Sequence, residues 1–156
     1  MTITDLTAAA GVGALADLIG TAAMTVSSTA EATLRRRGPS DTPARAAGVV
    51  LGVEPSDDAG NARFGTIVHR AYGTGWGTVR GLLDVAGLRG PSAAAAHLGA
   101  VWAGEQVILP ATGAATPGWT RGAKQVAIDL PHHTVYAAAT SLAYELLDPH
   151  RHTASH

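Results

Sequence analysis

The sequence predicts an all-α fold, a transmembrane four-helix bundle packed through glycine and alanine seams, and three observations carry that prediction. Charged residues make up 15% of the 156-residue chain, against roughly 25% in ordinary soluble domains. Mean hydropathy is positive at +0.14. The chain has 19 glycines and one phenylalanine, so its helices must meet through small residues rather than an aromatic core. Glycine costs a soluble helix about 1 kcal/mol relative to alanine, but in lipid it lets backbones approach closely. Part of the alanine excess also fits a GC-rich genome. A soluble helical bundle is the alternative, because every candidate span contains a charged residue.

A single helical domain is expected over residues 1–150, a length that suits one core. Its first span covers 7–32, where Asp17 is the only charge between Ala8 and Ala30; that is long enough to cross about 30 Å of hydrocarbon. Arg35, Arg36, Arg37, Gly38 and Pro39 stop it. An extramembrane loop follows over 33–60, with a short amphipathic helix over 42–51 inside it. The second span, 61–86, contains Arg70 and Arg80 and is the weakest on hydropathy. Gly90-Pro91-Ser92 opens the third, 92–110, which holds His97, Trp102 and Glu105 and ends at Pro110. A loop with Gly113, Pro117, Gly118 and an anchoring Trp119 leads to the fourth span, 124–147, interrupted by Pro131. Residues 148–156 read as a disordered tail.

Loop charge fits a multi-pass topology in a bacterial inner membrane. Arg35, Arg36, Arg37, Arg45 and Arg63 flank the first connection and Arg121 and Lys124 the third, while the other side has Arg89 and Arg151. The positive-inside rule then puts both termini outside the cytoplasm. No basic region opens the chain, so a cleaved signal peptide is not expected. A net charge of −1 and the lack of a basic stripe argue against nucleic-acid binding. With no cysteine, disulfides, thiolate catalysis and cysteine-ligated metals drop out. Phosphate-loop, dinucleotide, nucleophile-elbow and zinc-protease patterns are absent, so no catalytic residue is assigned.

Three stripes remain as candidate sites. Gly65, His69, Gly73, Gly77 and Gly81 recur every four residues along one drifting helix face; they fit a helix-packing seam, or a groove for a flat cofactor with His69 as ligand. Asp129, His132, His133 and Tyr136 stand at i, i+3, i+4 and i+7, with Thr140 and Tyr144 continuing the row. There an Asp129–His133 contact would fix the imidazole tautomer, and Pro131 would free a carbonyl. His97 and Glu105 share a face of the third span, and Arg70 or Arg80 are expected to neutralise Glu105 or Asp17 in a buried polar network. A metal ion or haem would draw on His69, His132, His133 and Glu105.

Two stretches, Val68-His69-Arg70-Ala71-Tyr72-Gly73-Thr74-Gly75-Trp76-Gly77 and the run from His97 through Val101-Trp102-Ala103 to Val107-Ile108-Leu109-Pro110, together with Ala123-Lys124 to Asp129-Leu130 and His133-Thr134-Val135-Tyr136, resemble an uncharacterised family of small four-span bacterial proteins, loosely YagU-like. The resemblance covers about residues 61–147. It implies a membrane location and brings no catalytic residues. The resemblance implies an aromatic residue in related sequences where Arg70 stands, so this chain departs from the family's pattern there and its second span is interrupted.

Three functions follow as expectations. The first is an accessory or structural membrane subunit, homo-oligomeric through the glycine seam or joined to other subunits in the bilayer. The second is a histidine-based metal or haem protein. The third is a small proton-coupled transporter with Asp17, Glu105, Asp129 and the histidines along its path.

Overall fold

The computed structural model describes residues 2–36, 38 and 42–148, the side chain of Pro43 excepted. Arg37 and Pro39 of the expected stop, and residues 149–156 of the expected tail with Arg151, lie outside the described residues. Among the described residues there are five α-helices, a single 3-10 turn and no strand: α1 (Ile3–Leu34), α2 (Thr42–Leu51), α3 (Asp58–Val85), α4 (Gly90–Ala111), the turn Gly118–Thr120 and α5 (Ala123–Leu147). The short helix falls on 42–51 as expected, and each long helix runs one to four residues past its expected span at one or both ends.

Local chemistry sets these ends. Thr2 and Asp5 form a capping box that satisfies two of the amides orphaned at the start of α1. At its far end the chain turns through Arg36, whose φ of 55° is the left-handed conformation that usually falls to glycine. Asp57 caps α3 by accepting from the Gly60 amide at 2.6 Å. Pro91 stands in the first turn of α4, where a missing N–H costs nothing. Pro131 lies inside α5 and has no N–H for the carbonyl four residues back.

The long helices are arranged around α1, which packs along both α3 and α5; α4 lies against α5 and more lightly against α3, and α2 covers the start of α3. Glycine brings α1 and α3 together. A Cβ added at Gly13 would strike the Gly77 carbonyl, and one at Gly81 the Ala9 carbonyl, so the two helices run antiparallel with backbone against backbone. The row of five splits: Gly73, Gly77 and Gly81 face α1, while a Cβ at Gly65 would lie 3.3 Å from Ala44 of α2. The seam expected to join subunits is therefore closed within the chain by its own first helix.

The distribution of polarity is inverted relative to a water-soluble domain. The largest fully buried side chains are Arg80, His97, Thr140 and Asp17, each 0% exposed. Leu15, Leu18, Ile19, Val26, Ile67, Val107, Leu142 and Leu146 are exposed, Val26 to 70%. Among the described residues only α1 is long and apolar enough to cross a membrane, and 28% of its most apolar stretch is buried in the protein.

Candidate functional site: a polar column along the last helix

The polar face of α5 runs from Asp129 through His132, His133, Tyr136, Thr140 and Ser141 to Tyr144 and Glu145, about 24 Å at 1.5 Å per residue. Three groups of contacts occupy it, one at each end and one between them.

At the end where α1 and α4 finish and α5 begins, Arg121 lies 3.2 Å from both Glu105 and Asp129. His133 Nε2 is 3.1 Å from the other Glu105 oxygen, while its Nδ1 is 3.0 Å from the Asp129 backbone carbonyl. A carbonyl only accepts, so Nδ1 carries a proton; a second proton on Nε2 makes the ring a cation facing a carboxylate. The expected Asp129–His133 pairing thus runs through the main chain, because the Asp129 side chain is held by Arg121. Beside this cluster His132 Nδ1 lies 2.8 Å from the Ser27 hydroxyl, with Glu31 of α1 4.0 Å from its Nε2. Glu31 also binds Arg35 at 2.8 Å.

At the opposite end Arg80 donates through Nε to Ser141 at 3.0 Å. Its guanidinium lies 4.4 Å from the Tyr144 ring centroid, a favourable cation–π distance, and 3.8 Å from Glu145. Arg80 thus meets Glu145 of α5 rather than the expected Asp17 or Glu105. Among the described residues Arg70 makes no ion pair, and it is exposed. One residue on from His69, it is turned about 100° off the seam, so it takes no part in the interior network assigned to it.

Between the ends the chemistry changes. Asp17 accepts hydrogen bonds from the Tyr136 phenol at Oδ1 and from the Thr21 hydroxyl at Oδ2, 2.9 Å away. The phenol is also 3.4 Å from the Gly73 carbonyl. His97 meets the Trp76 carbonyl through Nε2 at 3.1 Å, and its ring centroid is 5.4 Å from that of Tyr136. Among the described residues neither His97 Nδ1 nor the Thr140 hydroxyl has a hydrogen-bond partner, although Thr140 lies toward the Tyr136 phenol. Asp17 makes no ion pair among the described residues.

The four metal or haem candidates divide between these groups. His133 and Glu105 meet; His132 turns to α1; His69 is half-buried in α3, with His133 in electrostatic range. Among the described residues no group of three or more histidine or carboxylate side chains is arranged to hold a metal ion. Sequence reasoning missed Thr21, Ser141 and Arg121 as site residues. Thr21 was findable, since it stands one helical turn from Asp17; Arg121 in its loop carried no such signal. Compared with known proteins, the chain matches no family model, no curated protein and no solved structure.

Proposed function

We propose that this chain is an integral membrane protein that crosses the bilayer with α1, α3, α4 and α5 as a four-helix bundle, and serves as a small accessory or structural subunit of a membrane assembly. The inversion of polarity carries the reading. Buried Arg80, His97, Thr140 and Asp17 beneath exposed leucine, isoleucine and valine suit a hydrocarbon surround and are costly in water. An α1 that is apolar yet mostly uncovered by protein differs from the buried core helix of a soluble domain.

Charge placement supports an orientation. Arg35, Arg36, Arg45, Arg63, Arg121 and Lys124 gather where α1 ends, α2 lies and α5 begins; Arg45 reaches the Ala114 carbonyl at 2.8 Å and joins α2 to the loop after α4. That end faces the cytoplasm under the positive-inside rule. Trp119, 67% exposed at the same end, suits the headgroup boundary. The YagU-like resemblance points to the same location. An assembly role fits an interior whose end clusters neutralise themselves and an apolar groove between α1 and α5 lined by Ile19, Leu142 and Leu146.

Membrane fractionation tests the proposal. The chain is expected to stay in alkaline-washed membranes, to need detergent for extraction, and to show Trp119 fluorescence quenched by lipids brominated near the headgroup. A chain that is monodisperse in plain buffer overturns it. Co-purification of a stoichiometric subunit in mild detergent tests the assembly role, and its absence there, with a monomeric mass, counts against that role. A second reading, a small proton-coupled carrier, draws on one observation: a fully buried Asp17 with no cation beside it.

A further inference from the structure

We propose that the Asp17 carboxyl, enclosed by Tyr136, Thr21 and the backbones of Gly73 and Gly77, is a proton-binding site at mid-depth in the helix packing, occupied while α1, α3 and α5 are assembled as they are here. The inference deepens the proton-coupled reading and rests on it.

The surroundings of Asp17 can be followed element by element. Its own helix offers Thr21 and no charge within two turns. From α3 come the backbones of Gly73 and Gly77, with His69 and Arg80 beyond them on either side; Arg80 is engaged by Ser141, Tyr144 and Glu145. From α4 comes His97. With Nε2 donating to the Trp76 carbonyl and Nδ1 buried without an acceptor, the ring is the neutral tautomer, since a second N–H would be left unsatisfied. From α5 come Tyr136 and Thr140, with His133 and Tyr144 about two turns to either side of Thr140 and Tyr136 respectively. Among the described residues no side chain brings a positive charge to Asp17, since His133, one turn from Tyr136, faces Glu105, and a buried carboxylate without one is strongly disfavoured against its protonated form.

Hydrogen bonding accommodates the proton. A hydronium ion delivers H⁺ to Oδ2 and leaves as water; Oδ2 then donates to Thr21 Oγ1 as the threonine hydroxyl rotates, while Tyr136 keeps donating to Oδ1. Both carboxyl oxygens are satisfied in either state, so the absent counter-charge decides between them. A metal cation is a poorer fit to the same oxygens. A Cβ added at Gly73 would lie 2.7 Å from Asp17 Oδ2, and one at Gly77 would strike Asp17 Cβ. The helix backbones thus fill the space that a coordination shell of oxygens needs.

Infrared difference spectroscopy of the full chain in lipid nanodiscs reads the site directly. A protonated-carboxyl carbonyl band is expected at neutral pH, lost in Asp17→Asn and shifted to higher frequency in Tyr136→Phe, which removes one hydrogen bond and keeps the ring. A wild-type spectrum with no such band overturns the proposal, as does a band unchanged by Asp17→Asn. A band abolished by exchanging potassium for sodium at constant pH overturns it in favour of a cation site. Should the chain prove soluble without lipid, the membrane reading fails, and the same band measured in buffer still reports whether Asp17 holds a proton.

Discussion

The two polar regions at the middle and at the basic end of α5 are built from similar residues but solve burial differently. At the basic end Arg121 lies between Glu105 and Asp129 and His133 faces Glu105, so each charge has an opposite neighbour within 3.2 Å. In the middle the carboxyl of Asp17 has hydroxyl partners only. The basic-end groups keep some exposure, 21% for Arg121 and 15% for Glu105, whereas Asp17 has none. Charge is thus neutralised by ion pairing where water is near, and by a proton where helix backbones exclude everything larger.

The largest expected effect lies in the seam that isolates the middle. Gly77→Leu drives a side chain into Asp17 Cβ and the Gly13 carbonyl, neither of which is a flexible tip. Overpacking of this kind costs about 1–3 kcal/mol in a repackable core and more against backbone; loss of the protease-resistant, monodisperse species in detergent is expected. A variant that still elutes as wild type would separate α1 from α3 and break the picture of a sealed centre.

Next comes the basic end. Arg121→Gln leaves Glu105 and Asp129 without their shared cation and is expected to destabilise the protein by about 2 kcal/mol, the scale of hydrogen bonds to charged groups. Thermal unfolding in detergent measures it, and adding Glu105→Gln is expected to recover part of the loss. Additive losses would show that the cluster is not a unit.

Asp17→Asn sharpens the contrast because it is expected to change stability by less than about 1 kcal/mol, the amide replacing a neutral acid of the same shape. Asp17→Ala, which strands the Tyr136 and Thr21 hydroxyls, should cost more, about 1–3 kcal/mol. If Asn is as damaging as Arg121→Gln in the same unfolding assay, the middle is ionic after all. The smallest effect is that of salt: raising ionic strength should lower the melting temperature slightly through the basic-end pairs, and this dependence should shrink in the Glu105→Gln, Arg121→Gln double variant. A salt dependence that also vanishes in Asp17→Asn would place charge in the middle.

Much of the fold was legible because helix ends are local. Pro91 and the arginine stop act within a turn of where they stand, so those element limits followed from the residues themselves, whereas the Asp57 cap, read only as loop, starts α3 ahead of the expected 61. The four-residue recurrence of Gly73, Gly77 and Gly81 likewise announced close packing. Partners across helices were not legible, because an α-helix closes its own backbone hydrogen bonds and leaves no pairing pattern for a neighbour to match. Arg80 illustrates this: its burial could be expected from the surrounding apolar span, but its choice of Ser141 and Tyr144 follows from how α3 and α5 meet. Arg121 was seen only as a loop charge, since nothing in sequence indicates that the loop folds back over Glu105.

The central position of α1 has a consequence for how the chain is made. Asp17 emerges well before its phenol partner, which is 119 residues downstream; at about 5–20 residues per second that means a wait of roughly 6–24 s. Throughout that interval the first helix presents an acid to its surroundings with no finished interior to receive it. On the proposed membrane reading, this helix is expected to stay beside the insertion machinery until its last partner arrives, and truncation before α5 to leave a nascent chain that is retained there rather than released into lipid.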